Sequence, residues 1–126
     1  MYLRFTLVEL DKDSKRKRGI LVAAHDLRNE GDLSPEEFIV VAECLKWFNS
    51  KLKVPKELRE PGTDRALSWF KASAVEPIGK MWDLVYLMRN HGVNIELFKS
   101  ENPGRVIYED EWQVVAFPPR GEKVPW

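Results

Sequence analysis

The pattern of apolar residues along the 126-residue chain predicts an α+β fold: a two-layer domain with an antiparallel sheet of three or four strands packed against about three helices. Three observations carry this. The N-terminus alternates with period two, the middle of the chain holds long stretches of helical spacing with capping signals, and the last third consists of short runs separated by turn residues. The resulting order is β-α-α-α-β-β-β. Strands and helices do not alternate, so a doubly wound parallel sheet is disfavoured.

From Tyr2 to Leu10, Leu3, Phe5 and Leu7 face one way and Tyr2, Arg4, Thr6 and Val8 the other, which is the pattern of a half-buried strand. Residues 11–19 contain no large apolar side chain and read as a solvated loop. Helical spacing begins at Ile20 and continues through Ala23, Ala24 and Leu27, predicting a helix over 19–30 with Gly31 as a left-handed C-terminal cap. Ser34-Pro35-Glu36-Glu37 is the strongest local signal. Ser34 can accept from the Glu37 amide, Pro35 fits the first helical position, and Glu37 can reach back to close a capping box. A helix over 35–52 follows. Its apolar residues Phe38, Val41, Ala42, Leu45 and Phe48, widened by Ile39, Val40, Cys44 and Trp47, predict a buried central helix.

The stretch 53–62, with two prolines and a glycine, is a surface connection. Ala66, Leu67, Trp69 and Phe70 fit either a short helix or a brief extended segment, and the helix is preferred. Ser73-Ala74-Val75-Glu76 repeats the capping-box spacing, and Ile78, Met81, Trp82, Val85 and Met88 predict a helix over 74–91, closed by Gly92 with Val93 as its apolar contact. The remainder reads as a meander of strands at 95–99, 105–109 and 112–117. Asn102-Pro103-Gly104 forms the first turn, and the last strand is expected to be central beside the N-terminal one. Residues 1–119 are expected to form one domain and 120–126 a tail.

Composition excludes more than it selects. Twenty basic and twenty acidic residues give a net charge of zero, so the overall field that draws a general nucleic-acid or membrane-surface binder to its target is missing. The sum conceals a dipole: residues 11–18 carry five positive and two negative charges, and 94–112 carry two positive and five negative. Cys44 is the single cysteine, which excludes an intramolecular disulfide and multi-cysteine metal sites. No apolar run reaches the roughly 20 residues that span a bilayer, and the first residues lack the pattern of a secretory signal, so a soluble cytoplasmic protein is expected.

Glycine-rich phosphate loops, nucleophile elbows and zinc motifs are absent from the sequence. His25 falls on a polar helix face and His91 in the last turn of a helix, where a donor satisfies terminal carbonyls. Cys44, between Val40 and Trp47, reads as a core residue. No catalytic residue, metal ligand or cofactor is therefore assigned. Lys15, Arg16, Lys17 and Arg18 precede a helix N-terminus, where a phosphate, a nucleic-acid backbone or an acidic surface would dock. Trp47, Trp69 and Trp82 sit in core patterns. Trp112 and Trp126, with the acidic run Glu109, Asp110 and Glu111, are the candidate interface residues.

Residues 66–71 (ALSWFK), 91–93 (HGV) and 103–116 (PGRVIYEDEWQVVA) resemble a group of small uncharacterised bacterial proteins. The resemblance spans most of the chain. It implies a single intact domain in a bacterial or phage setting, and no activity. The residues themselves favour a small non-catalytic interaction or regulatory protein, an adaptor or inhibitor, whose partner is another protein. Self-association is compatible with the charge dipole, and no membrane partner is expected. The alternatives are phosphate or nucleic-acid binding through Lys15 to Arg18, and an acid–base hydrolase or transferase using His25, His91 or the 109–111 carboxylates.

Overall fold

The computed structural model describes residues 1–10, 17–62 and 65–119. It is an α+β fold with three long helices and an open antiparallel sheet. The strands are β1 (Tyr2–Leu10), β2 (Lys17–Gly19), β3 (Leu67–Lys71), β4 (Ile95–Ser100), β5 (Arg105–Glu109) and β6 (Gln113–Phe117). The helices are α1 (Ile20–Glu30), α2 (Pro35–Lys51) and α3 (Val75–Asn90), with a short 3-10 turn at Lys56–Arg59. The predicted order of the long elements holds. The sheet has more strands than expected because β2 and β3 escaped the sequence reading.

β2 lies inside what reads as loop. Its main chain pairs with β1 at Thr6 and Leu10, and such pairing needs no apolar side chain; cationic residues are tolerated on a short strand. β3 replaces the expected short helix. It is held on one side by β1 and on the other by β6, with Leu67 and Trp69 buried on one face of the sheet. Propensity over five residues is weak, and pairing on both edges overrides it.

The capping box at the start of α2 forms as predicted. The Glu37 amide donates to Ser34 Oγ at 3.2 Å, and the Ser34 amide donates to Glu37 Oε1 at 3.1 Å. The second expected box does not form. Ala74 caps α3 without a side-chain bond, because the tight exit from β3 bonds the amides of Ala74 and Val75 to the carbonyls of Lys71 and Ser73. Gly31 is extended at φ −80° rather than left-handed, its amide donating to Leu27 O. At the end of α3 the left-handed cap is present: Gly92 has φ +81°, its amide donates to Arg89 O, and that of Val93 donates to Met88 O.

α2 is buried on one side only. Val41, Cys44, Leu45 and Phe48 enter the core with Ala23 and Ala24 of α1, Leu84, Val85 and Met88 of α3, and Phe5, Leu7 and Ile95 of the sheet. Phe38, Ile39 and Val40 are exposed. A helix in a single layer on one face of a sheet has a solvent side whatever its composition.

The last third is not a meander. β4 pairs with β1, and β5 pairs with β6, giving the order β4-β1-β3-β6-β5, with β2 following β3 along the same edge of β1. β6 is interior as expected, but its neighbour is β3 rather than β1. The link from Ser100 to Arg105 therefore joins opposite edges of the sheet. Five residue steps reach about 17 Å when extended, whereas four strand spacings in a flat sheet measure about 19 Å before any offset along the strands. The sheet must curl. Curling accounts for a second apolar cluster, Leu67, Trp69 and Val114 with Tyr2 and Phe98, on the face away from the helices. Gly104 sits at the end of this link with φ +108°, where a Cβ would collide with the carbonyl oxygen of Phe117.

Candidate functional site

The most distinctive site lies where β1 parts from β3. The Val8 amide donates to Asn94 O at 3.0 Å, and the β1–β4 register runs from Leu7 opposite Ile95 to Tyr2 opposite Ser100. Main-chain groups alternate between the two edges of a strand. Those of Tyr2, Arg4, Thr6 and Val8 therefore address β4, and those of Leu3, Phe5 and Leu7 address the other edge. On β3, the Lys71 amide donates to Trp112 O, so Leu67, Trp69 and Lys71 address β6 while Ser68 and Phe70 address β1.

Leu3 pairs with Phe70, and the next pair along the ladder would be Phe5 with Ser68. It does not form. The β2 pairing begins only at Thr6, and Ser68 O accepts instead from Arg4 Nη1 at 2.9 Å. At the fork β1 leaves β3 and takes up β2 instead, the Thr6–Gly19 pair engaging the main chain of the flanking Phe5 and Leu7.

A cavity of about 240 Å³ opens at this fork. It is largely apolar: Leu3, Phe5, Phe70 and Met81 line it together with the first turn of α1 and the segment Leu52–Pro55 with Leu58. Among the described residues, the charged ones that line it are Arg4 and Lys53. Trp69, 6% exposed, adjoins it on β3, its side chain packed in the cluster on the other face of the sheet. Gln113, 4% exposed, holds the rim: its Nε2 donates to Lys53 O at 2.6 Å and to Asp110 Oδ2 at 3.3 Å. A second cavity, between the ends of α1 and α3, is lined by Asp26 and Glu30 beside Leu27 and Met88.

The residues singled out in sequence fall elsewhere. Lys15, Arg16 and Trp126 lie outside the described residues. Lys17 and Arg18 belong to β2, and Gly19 after them caps α1 without a side-chain bond. Trp112 is half-buried and stacks on Trp47, ring centroids 5.5 Å apart. Glu109 pairs with Lys71 at 2.6 Å, and Glu111 is exposed.

Asp110 closes the β5–β6 turn, its Oδ1 accepting from the amides of Trp112 and Gln113 and its Oδ2 from the Tyr108 hydroxyl. Burial pushes its carboxyl up, but the Trp112 amide, the Tyr108 hydroxyl and the Gln113 bonds outweigh this and hold it below the usual range. The same contact, joined by burial, raises the Tyr108 phenol.

His25 is exposed on α1. His91 Nε2 lies 2.7 Å from Glu37 Oε2, tying the end of α3 to the start of α2. The Ser34 amide and His91 together lower the Glu37 carboxyl. Burial raises the Cys44 thiol, and Asp83 adds to the effect. Among the described residues no group of three His, Cys, Asp or Glu side chains could hold a metal, and no helix is long and apolar enough to cross a membrane.

Sequence reasoning missed Arg4, Phe5, Lys53, Ser68 and Trp69 because the fork needs β3 to be a strand. The usable signal was the alternation of Leu67 and Trp69 with Ser68 and Phe70, weighed as helix instead. No protein-family model, curated protein or solved structure matches the chain.

Proposed function

We infer that the protein is a non-catalytic interaction protein, and that the fork between β1 and β3 is its recognition element. One observation carries the reading: an apolar cavity coincides with the point where β1 and β3 stop pairing. An apolar lining supplies affinity for an anchoring apolar side chain of a partner. The cavity is smaller than the roughly 300–1,000 Å³ of most small-molecule sites, which favours a single anchor over a bulky metabolite.

Val54 lines the mouth and is 68% exposed, so Val54→Trp obstructs the cavity without entering the core. Capture from lysate of the source cells with wild-type and V54W protein tests the reading. A partner retained by the wild type and lost by V54W is expected. Capture of nothing, or the same proteins on both, overturns it. Phosphate or nucleic-acid binding through Lys15 to Arg18 makes the opposite prediction: binding survives V54W, and it weakens and loses salt dependence when those four cations are neutralised.

A further inference from the structure

We propose that the outer edge of β4 joins a second copy of this chain, strand to strand, about a twofold axis at Phe98. This edge lies apart from the fork, so the inference goes beyond the reading of the cavity and is tested independently of the V54W capture.

β4 borders the sheet, with β1 as its neighbour among the described strands. The Val8 amide donates to Asn94 O, so the main-chain groups of Glu96, Phe98 and Ser100 address β1, and those of Ile95, Leu97 and Lys99 address the outer side. Arg89 bears this out, its Nη2 donating to Ile95 O at 3.2 Å from α3. With that carbonyl taken, Leu97 and Lys99 each keep an outward N–H and C=O that no described group answers. The opposite edge is protected differently. β5 carries an irregularity between Val106 and Tyr108, the kind of bulge that turns an edge away from a partner strand, whereas the β4 ladder runs through six consecutive pairs without a break. A regular edge with unanswered main-chain groups is a template for another strand.

The two outward residues set the register. Antiparallel pairing joins outward residues to each other, and the window is filled when Leu97 faces Lys99 of the second copy and Lys99 faces Leu97 of the second copy. Phe98 then faces its own symmetry mate. Such an arrangement is self-complementary, so one strand supplies both sides of the interface.

The same register pairs the charges. Ile95 falls opposite Glu101 of the second copy, and the Arg89 guanidinium already sits at Ile95 O. Glu101 continues the line of β4, its Oε2 lying 3.5 Å from the Met1 amine beside the start of β1, and its side chain is 77% exposed. Ile95, Leu97 and Lys99 share the sheet face of Leu7, Phe5 and Leu3, on which α3 packs, and Glu101 follows them in the alternation. An Arg89–Glu101 contact therefore closes each end of the paired strands. Trp82 and Tyr86, stacked at 5.6 Å, share the helix face of Arg89, and Tyr86, 61% exposed, is covered by the added strand. The two Lys99 side chains are diagonal across the axis and long enough to splay into solvent. An unrelated strand offers main-chain groups without a carboxylate opposite Arg89; a second copy places one at both ends by symmetry.

Sedimentation equilibrium and amide exchange on the whole chain test this. The wild type is expected to rise from monomer to dimer mass between micromolar and millimolar concentration, with exchange at Leu97 and Lys99 slowing in step. Lys99→Pro removes an outward amide that takes no part in the β1 ladder, and is expected to be monomeric. Arg89 and Glu101 are exposed. Arg89→Glu and Glu101→Arg each oppose like charges at both ends, and each is expected to associate at least about ten-fold more weakly than the wild type. Mixed together, these two variants restore both contacts, and a heterodimer close to wild-type affinity is expected, a recovery that misfolding cannot produce.

A wild type that stays monomeric at millimolar concentration overturns the proposal. So does a dimer indifferent to all three substitutions, or a mixture of R89E and E101R that associates no better than either alone. Should K99P lose its fold, the charge pair decides.

Discussion

Asp110→Ala removes one carboxylate that serves four donors. Its oxygens accept from the Trp112 amide at 2.9 Å, the Gln113 amide at 3.0 Å, the Tyr108 hydroxyl at 2.8 Å and Gln113 Nε2 at 3.3 Å. Water replaces the acceptor for Tyr108 and Trp112, which are half-buried, so those losses are a few tenths of a kcal/mol each, as for exposed charged contacts. Gln113 is buried, and its stranded amides cost about 1–3 kcal/mol. The sum is about 2–3 kcal/mol. At this chain length each kcal/mol moves Tm by about 3–5 °C, so the variant melts about 10 °C lower.

The sign of the pH dependence follows from the lowered Asp110 carboxyl. A group with a depressed native pKa stabilises above its unfolded value, near pH 4, and that contribution disappears as pH falls through the native value. The deficit of D110A is therefore full at pH 7 and smaller at pH 3. Urea titration followed by tryptophan fluorescence at the two pH values measures it. Coincident midpoints at pH 7, or a gap of undiminished size at pH 3, refute the reasoning. Because Gln113 also holds Lys53 O, D110A further loosens the cavity rim, and exchange of the amides around residue 53 should rise with it.

Three other outcomes are expected. Glu37→Gln leaves an acceptor for the capping box but removes the carboxylate charge that serves the Ser34 amide and His91, lowering the thermal midpoint at pH 7, with the difference from wild type narrowing in acid as the lowered Glu37 carboxyl protonates. Gly92→Ala places a side chain at positive φ in open space and costs about 1–2 kcal/mol, whereas Gly104→Ala adds a collision with the Phe117 carbonyl and costs more; equal urea midpoints for the two variants contradict the geometry. Cys44, buried and with its thiol pushed up, reacts with a thiol reagent only as fast as the protein opens, so labelling should track urea unfolding and be slow in the native state.

Local signals were legible wherever a short stretch of chain decides the outcome. Ser34-Pro35-Glu36-Glu37 forms the capping box it spells, because both bonds lie within four residues. Gly92 and Val93 close α3 for the same reason. The apolar period placed α1, α2, α3 and β1 close to their observed limits. The burial of Cys44 and Trp69 followed from neighbours in the pattern, although Trp69 reached its place in a strand rather than a helix.

Tertiary pairing decided the rest. Leu67 to Lys71 is extended because β1 and β6 flank it, and neither lies nearby in sequence. Asn102 to Gly104 crosses between sheet edges instead of turning a hairpin because β4 finds its partner in β1. Trp112 carries no sequence mark of its stack on Trp47, and Asp110 none of its hold on Gln113 and so on Lys53. The candidate site lay beyond sequence reasoning for the same reason. It is made by a pair that fails to form, Phe5 with Ser68, and a missing ladder contact between residues so far apart leaves no period or spacing along the chain. Composition and local pattern determined the α+β class, the helices and their caps; the order of strands, the curl of the sheet and the fork came from long-range pairing, where chain connectivity and burial outweigh the preferences of short segments.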